Sequence, residues 1–241
     1  MNAPSPPGRR GWAAITPGRL YYAGHVGAGG MHAHHAVQLL VGDGLVLRGG
    51  TGSAHEVSAA LIPADTPHEI VRGADDALLV LIDPAQAGRP SRRPATGSAA
   101  SWSLGVRPPA RRDLPGLAAL ADELTGTAPP PPLHPALAHA MRLVEAALPA
   151  QVRLAAVADA VHLSESRLAH LFRQEAGLPF RPYVLWMRLR VALSSLSRGA
   201  TLTGAAHAAG FSDAAHLTRT VRRMMGDAPS ALATGVRWLE G

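Results

Sequence analysis

The chain has 241 residues, of which 47% are apolar and only 4% aromatic, and 23 basic residues against 17 acidic ones give it a net charge of +6. Every basic residue is arginine and cysteine is absent, which excludes a disulfide framework, a thiolate zinc site and a cysteine nucleophile. No apolar run approaches the roughly 20 residues of a membrane helix, and segment 1–10 lacks the apolar core of a secretory signal. We therefore expect a cytoplasmic protein of one large or two small domains that does not enter a membrane.

The first 83 residues divide into two parts of different composition. Residues 1–19 are rich in proline, glycine and arginine and are predicted to be a flexible N-terminus. Residues 20–83 contain short apolar runs separated by glycine, aspartate and proline, which is typical of the strands of a small sheet or barrel. The runs are Leu20–Tyr22, Val37–Val41, Leu45–Leu47, Ala59–Ile62 and Ala77–Ile82.

Residues 84–133 are predicted to be a linker, because they are rich in proline, alanine, serine and arginine. Within them, leucines spaced three or four residues apart predict a short helix over residues 114–124. Its leucine stripe would serve either as a dimer contact or as packing against the preceding barrel. Pro129–Pro132 favour a stiff extended spacer, which places a domain boundary before residue 134.

Residues 134–235 carry a helical pattern with an internal repeat. Short helices that begin at Leu154 and Leu202 each precede a longer helix with a capping residue and a glycine stop. The core and stop positions of the longer helices recur 49 residues apart: Leu168 with Leu217, Phe172 with Val221, and Gly177 with Gly226. This repeat predicts two helix-turn-helix motifs, joined by a helix from Pro182 to about Ser197.

The charge distribution agrees with binding of nucleic acid. Residues 134–241 hold 12 arginines against 7 acidic residues, whereas residues 1–133 hold 11 against 10. The positive excess therefore lies in the helical half, where it would neutralise phosphates.

Specific residues of the repeat identify a family. They include Leu171-Phe172-Arg173, Arg188-Leu189-Arg190, Gly210-Phe211-Ser212-Asp213 and Pro229-Ser230. With these residues the stretch Leu154–Leu232 resembles the DNA-binding domain of the AraC family of transcription regulators. The resemblance implies binding to double-stranded DNA, RNA polymerase as a partner if the protein is an activator, and two reading heads about one helical turn apart.

Helical periodicity separates core positions from outward positions in both longer helices. By resemblance, the outward residues enter the major groove and contact bases or phosphates. Arg219 is the strongest candidate for a base contact, since a guanidinium binds O6 and N7 of guanine bidentately. The candidate DNA-binding residues are Ser166, Ala169, His170 and Arg173 in the first motif and Ala214, Ala215, Thr218 and Arg219 in the second.

A histidine cluster is the second informative segment. Alternate side chains of a strand share a face, so on a strand His32, His34 and Gln38 would point one way and His35 the other. With His68 from a neighbouring strand, these imidazoles would form a site for a divalent metal such as Ni, Zn, Fe or Mn.

The same histidines resemble the two motifs of the cupin barrel, His-x-His with a polar residue four positions on, then Pro-x-x-x-x-His. Gln38 stands where metal-binding cupins usually have Glu, and Asp65 where they usually have Gly. The resemblance implies a cupin-like sensor over residues 20–83 that binds a metal ion or an organic effector. The candidate ligands are His32, His34, Gln38 and His68; alternatively, these side chains only pack.

We therefore expect an α+β protein with two domains: a small N-terminal β-barrel of the cupin-like, jelly-roll type, then an all-α domain with two helix-turn-helix motifs. The expected function is a transcription regulator, not an enzyme, under the control of an effector and acting as a monomer or homodimer. One alternative is a cupin metalloenzyme, a dioxygenase or isomerase, with His32, His34 and His68 on the metal. The other is a constitutive DNA-binding protein whose barrel only dimerises.

Overall fold

The computed structural model describes residues 11–50, 52–87, 98–106, 112–125, 132–225, 229 and 236–239. A β-sheet domain comes first and a helical domain follows, which confirms the expected α+β architecture. Within the described ranges, no helix is long and apolar enough to cross a membrane.

Among the described elements, seven strands precede the α-helices and one strand follows them. The strands are β1 (Gly11–Thr16), β2 (Arg19–Val26), β3 (Gly29–His32), β4 (Val37–Gly49), β5 (Ala54–Ile62), β6 (His68–Arg72), β7 (Ala74–Ile82) and β8 (Val236–Leu239). The helices are α1 (Leu114–Thr125), α2 (Pro135–Ala147), α3 (Leu154–Ala160), α4 (Glu165–Gln174), α5 (Phe180–Ser197), α6 (Leu202–Ala208) and α7 (Ala214–Met225).

The strands form one sheet in the order β3-β6-β4-β7-β2-β1-β8, with β5 paired to β4. All described pairs are antiparallel except β1 with β8, which is parallel. The edge strands β3 and β8 do not pair with each other, so the prediction of a closed barrel was wrong. Each edge strand has only four residues, too few to complete a continuous ladder around the sheet.

The sheet begins earlier than predicted, because β1 lies inside the segment 1–19 that was expected to be flexible. It forms a hairpin with β2, from Trp12 opposite Ala23 to Thr16 opposite Arg19. Gly18 turns the chain at a φ of +75°, a conformation that glycine adopts without a steric penalty. This strand has only six residues, and because proline and glycine flank it, the sequence pattern indicated a flexible segment.

The apolar runs of β4 belong to one strand and not to two. Gly42, Asp43 and Gly44 separate the runs in sequence, yet they form an irregularity within the 13-residue strand β4. The first half of β4 pairs with β7 and the second half with β6. The histidine-bearing end of β6 is thereby placed beside β3 and β4.

The described parts of the predicted linker pack against the sheet. Leu117 and Ala121 of α1 are fully buried against apolar side chains of β2, β4 and β7, which agrees with packing on the chain's own sheet. Trp102, in the 3-10 helix Ala99–Trp102, is buried against a second apolar cluster of the sheet. The proline spacer Pro129–Pro132 lies outside the described residues except for Pro132.

The helical domain contains the predicted repeat. The side chains of Leu168, Phe172, Leu217 and Val221 are fully buried in one core. Helix α5 joins the two halves over 18 residues, or about 27 Å at 1.5 Å per residue. Gly177 ends the first motif at a φ of +74°, while Gly226, the predicted stop of the second, lies outside the described residues.

Candidate DNA-binding face and histidine cavity

The two helix-turn-helix motifs, α3–α4 and α6–α7, have the same internal geometry. The turn residue has a positive φ in both, +55° at His162 and +76° at Gly210. The next backbone N–H, of Leu163 and of Phe211, donates to a carbonyl of the preceding short helix at 3.0 and 2.9 Å. The spacing recognised in the sequence therefore corresponds to two copies of one turn.

Side chains cap the longer helix of each motif. The backbone N–H of Arg167 donates to Oγ of Ser164 at 3.2 Å, and that of His216 donates to Oδ1 of Asp213 at 2.6 Å. This hydrogen bond lowers the pKa of Asp213, because it stabilises the carboxylate. A side-chain cap therefore forms in both motifs, from Ser164 in the first and from Asp213 in the second.

The structure places the eight candidate DNA-binding residues on outward faces of the two longer helices. On α4, Ser166, His170 and Arg173 are exposed and Ala169 is half-buried. On α7, Ala215 and Arg219 are exposed, whereas Ala214 and Thr218 are half-buried. Oγ1 of Thr218 donates to the carbonyl of Ala214 at 2.8 Å, so this hydroxyl is engaged with its own helix.

Three arginines extend the candidate interface beyond the residues that the sequence singled out. Arg222 and Arg223 are exposed in the last turn of α7, and Arg167 is exposed in the first turn of α4. None of them forms an ion pair with another residue in the described part of the chain. The basic bias of the helical half was the signal that would have found them, since such side chains neutralise phosphates.

Arg188 and Arg190 of α5 form hydrogen bonds to different parts of the molecule. Nη1 of Arg188 donates to the carbonyl of Gly210 at 2.8 Å, and Nη2 to that of Ala150 at 3.2 Å, which fixes the turn of the second motif. Nη2 of Arg190 donates to the carbonyl of Thr16 in the sheet domain at 3.4 Å. The linking helix therefore contacts the second motif on one side and the sheet on the other.

The structure brings His32, His34 and His68 together, as predicted, although not from one strand and its neighbour. His32 ends β3 directly opposite His68 of β6, whereas His34 lies in the connection between β3 and β4. The ring centroids lie 4.2 to 5.9 Å apart, and one nitrogen of each ring lies within 4.8 Å of the others. His35 points away and pairs with Asp65.

Backbone carbonyls fix the orientation of all three rings. Nδ1 of His32, His34 and His68 lies 2.7, 2.9 and 2.8 Å from the carbonyls of Gly30, Ala36 and Thr66, respectively. Donation from Nδ1 leaves Nε2 of each neutral ring with a lone pair. Burial lowers the pKa of all three imidazoles, that of His34 to about 4, so the rings are neutral at physiological pH.

Gln38 completes the cluster. Its Oε1 lies 2.5 Å from Nε2 of His34, while its Nε2 and the Nε2 of His68 are buried without a hydrogen-bond partner among the described residues. The amide of Gln38 is thus in direct contact with the ring of His34, and it can present either its oxygen or its NH2 group to the ring nitrogen.

Asp65 accounts for the departure from the cupin pattern that was noted in the sequence. It has a φ of +59°, in the left-handed region where glycine is usual and aspartate is tolerated. Its backbone N–H donates to the carbonyl of His34 at 2.8 Å, and its carboxylate pairs with His35. Asp65 thus helps to position the histidine-bearing connection.

The histidine cluster opens into a cavity of about 120 Å³ that both domains line. Its polar end is formed by His32, His34 and Gln38. Apolar side chains of β1, β2, β6 and β7 form its walls. Further lining residues are Leu193 of α5, Met225 of α7, and Val236 and Trp238 of β8. Sequence reasoning missed this last group, because nothing local in the sequence brings β8 back to the sheet.

Comparison with known proteins agrees with this architecture. A family described as "Helix-turn-helix domain" matches residues 157–234. ToxT from Vibrio cholerae is 10% identical, covers 90% of this chain and 98% of its own, and has a TM-score of 0.55; fatty-acid-bound ToxT from strain SCE256 is 11% identical, with 90% and 95% coverage and a TM-score of 0.55.

A regulator with an AraC-type DNA-binding domain from Chromobacterium violaceum is 28% identical and covers 41% of this chain and 89% of its own, with a TM-score of 0.40. No curated protein sequence matches. At this identity ToxT shows a shared two-domain fold alone. Residues 157–234 are therefore a helix-turn-helix domain of the AraC type, and the chain is a DNA-binding transcription regulator.

Proposed function

We propose that this regulator is controlled by a divalent metal ion bound to His32, His34 and His68 in the sheet domain, so that metal occupancy changes its affinity for DNA. The observation that carries the proposal is the convergence of three buried imidazole nitrogens with fixed tautomers. A fold shared with ToxT, one form of which holds an unsaturated fatty acid, supports control by a bound effector.

The residues present fit a metal ion. Carbonyl acceptors at Nδ1 are the usual outer partners of metal-bound histidine, because they orient the ring and raise its basicity. Among the described residues the buried Nε2 of His68 has no other partner, and the amide of Gln38 lies against Nε2 of His34. Three imidazoles suit Zn, Ni or Fe best, and the amide oxygen of Gln38 is a neutral fourth donor that also suits Mn.

Control follows from the position of the cavity between the two domains. An effector shifts an equilibrium only by its difference in affinity for the two arrangements. Because the cavity is lined by the sheet and by α5, α7 and β8, a change in the arrangement of the domains alters the cavity itself. Metal occupancy and the placement of α7, the reading helix of the second motif, are therefore linked.

Double-stranded DNA is the proposed target, in the cytoplasm, with RNA polymerase as a partner if the protein activates transcription. A homodimer would need a surface other than the apolar stripe of α1, since Leu117 and Ala121 are buried on the chain's own sheet.

Fluorescence anisotropy with the DNA upstream of its own gene tests the proposal. The full chain is titrated over a salt series with and without Ni, Zn, Fe or Mn; we expect specific binding whose affinity changes with one of these metals. His32→Gln should abolish the metal effect and keep specific binding, whereas the matched variant His55→Gln, outside the cluster on β5, should behave as the wild type. Specific binding that ignores every metal would refute metal control and leave an organic effector.

A further inference from the structure

The ends of the cavity differ in chemistry. His32, His34 and Gln38 lie at one end, whereas the walls consist mainly of Ala13, Leu20, Leu79, Leu81 and other apolar side chains. Another imidazole in the lining, that of His25, is partly exposed and lies 2.9 Å from Oδ1 of Asp75. A ligand that matches this cavity has one polar group and an apolar body.

Charge determines the kind of polar group. No Asp, Glu or Arg side chain lines the cavity among the described residues, and a histidine binds a metal ion as a neutral imidazole. A divalent ion bound there would carry a positive charge that no side chain of the cavity balances, and buried charges in proteins are paired. An anionic oxygen donor on the ligand supplies that balance.

The volume of the cavity limits the size of the ligand's apolar part. Cavities of roughly 150 Å³ with aliphatic and aromatic walls bind benzene, and this cavity measures about 120 Å³. The thioether of Met225 and the indole of Trp238 also line the cavity and are available to contact a ring or a compact branched chain. Both residues lie beyond the sheet domain's own strands, at the end of α7 and on β8.

We infer that the cavity binds a compact apolar carboxylic acid of about the size of benzoate, with its carboxylate at the histidine-held metal and its body against Met225 and Trp238. The inference rests on the proposed metal site and adds the chemical class of its ligand. It also makes the DNA-binding domain part of the ligand site, since Met225 is the last residue of the second reading helix.

The test uses the full chain loaded with Co²⁺, whose visible absorption reports its ligands. Co²⁺ alone is added first: absence of a histidine-bound spectrum would refute the metal site itself. Benzoate is then titrated against benzyl alcohol, which lacks the carboxylate, and acetate, which lacks the ring.

Benzoate is expected to shift the spectrum saturably and benzyl alcohol to leave it unchanged. Acetate should bind about 10- to 150-fold more weakly than benzoate, the ratio that corresponds to roughly 1.5–3 kcal/mol for burial of a large apolar group. A Co²⁺ spectrum that benzoate does not shift, or shifts no better than acetate, would overturn the ligand class while the metal site stands.

Two methionine variants test the contact with the helical domain. Met225→Ala should weaken benzoate several-fold and leave the affinities for Co²⁺ and acetate unchanged, which also shows that the sheet domain is folded. Met31→Ala, at an exposed position of β3, is the matched control and should change none of the three. Equal benzoate affinity in the two variants would refute the contact with Met225.

Discussion

Arginines on the two reading helices present their guanidinium groups to solvent from different positions. Arg219 follows the outward residues in the first turns of α7, whereas Arg173 lies in the last turn of α4. Because the N-terminal part of a recognition helix reaches base edges, we expect Arg219 to contact a base and Arg173 to contact a phosphate.

These roles predict different effects of substitution. Arg219→Ala should cost roughly 1–3 kcal/mol of binding to the specific site and relax its sequence preference, because a bidentate base contact is lost. Arg173→Ala should weaken binding to all DNA sequences alike and lower the salt slope by about 1. Anisotropy titrations with specific and scrambled DNA distinguish them, and equal losses on both DNAs for Arg219→Ala would exclude its base contact.

The histidine site shows how much of a site a residue pattern can predict. The spacing of His32, His34 and His68 was enough to predict their convergence, because the pattern constrains the ends of neighbouring strands. The assumption of one continuous strand was wrong, yet His35 still points away, because Asp65 holds it from outside. Whether the site binds metal remains a prediction.

At the scale of elements, the turns of the two helix-turn-helix motifs offer an internal comparison. Gly210 and His162 occupy the same turn position and both have positive φ. A Cβ at Gly210 would overlap the carbonyl oxygen of Pro149, whereas His162 already carries a side chain, which is exposed.

Gly210→Ala should therefore lower the free energy of unfolding by more than about 1 kcal/mol, since the left-handed conformation alone costs an L-residue roughly 1–2 kcal/mol and the overlap adds to it. His162→Gly should change it by less than about 1 kcal/mol, because relief of strain and the added freedom of the unfolded chain oppose each other. Urea unfolding of both variants measures the difference. Similar losses in the two would show that the turns are not equivalent.

Elements with a local signal were predictable, and those that depend on distant partners were not. Caps, glycine stops and buried leucines recur within each motif, so the sequence alone indicated α3, α4, α6 and α7. Strand β8 has only four residues and is stabilised by β1, more than 200 positions away in the chain. Neither composition nor periodicity reports a pairing of that kind.

At the scale of the whole molecule, Arg190 of α5 and Asp83, the residue after β7, lie at one of the contacts between the two domains. Nη1 of Arg190 lies 3.9 Å from Oδ2 of Asp83, too far for a hydrogen bond. The side chain of Asp83 is buried, and its other oxygen accepts the backbone N–H of Ala85 at 3.0 Å. Burial raises the pKa of Asp83 despite the opposing effects of Ala85 and Arg190.

A raised pKa means that the folded chain holds this proton more tightly than the unfolded chain does. The resulting stability is fully present below the unfolded-state pKa of about 3.9 and is lost as the pH rises through the folded-state pKa. Asp83→Asn retains an oxygen for Ala85 and removes the buried charge. The variant should therefore gain stability relative to the wild type as the pH rises, and the two should converge in acid.

Urea unfolding between about pH 4 and pH 8 measures this difference, with Asp43→Asn, at an exposed site, as the control for loss of one carboxylate. Replacement of a buried ion pair is often neutral or stabilising, because desolvation offsets the attraction between the charges. If Asp83→Asn instead loses stability at pH 7, attraction to Arg190 outweighs burial. The ion pair of Arg190 with Asp83 would then stabilise the contact between the domains.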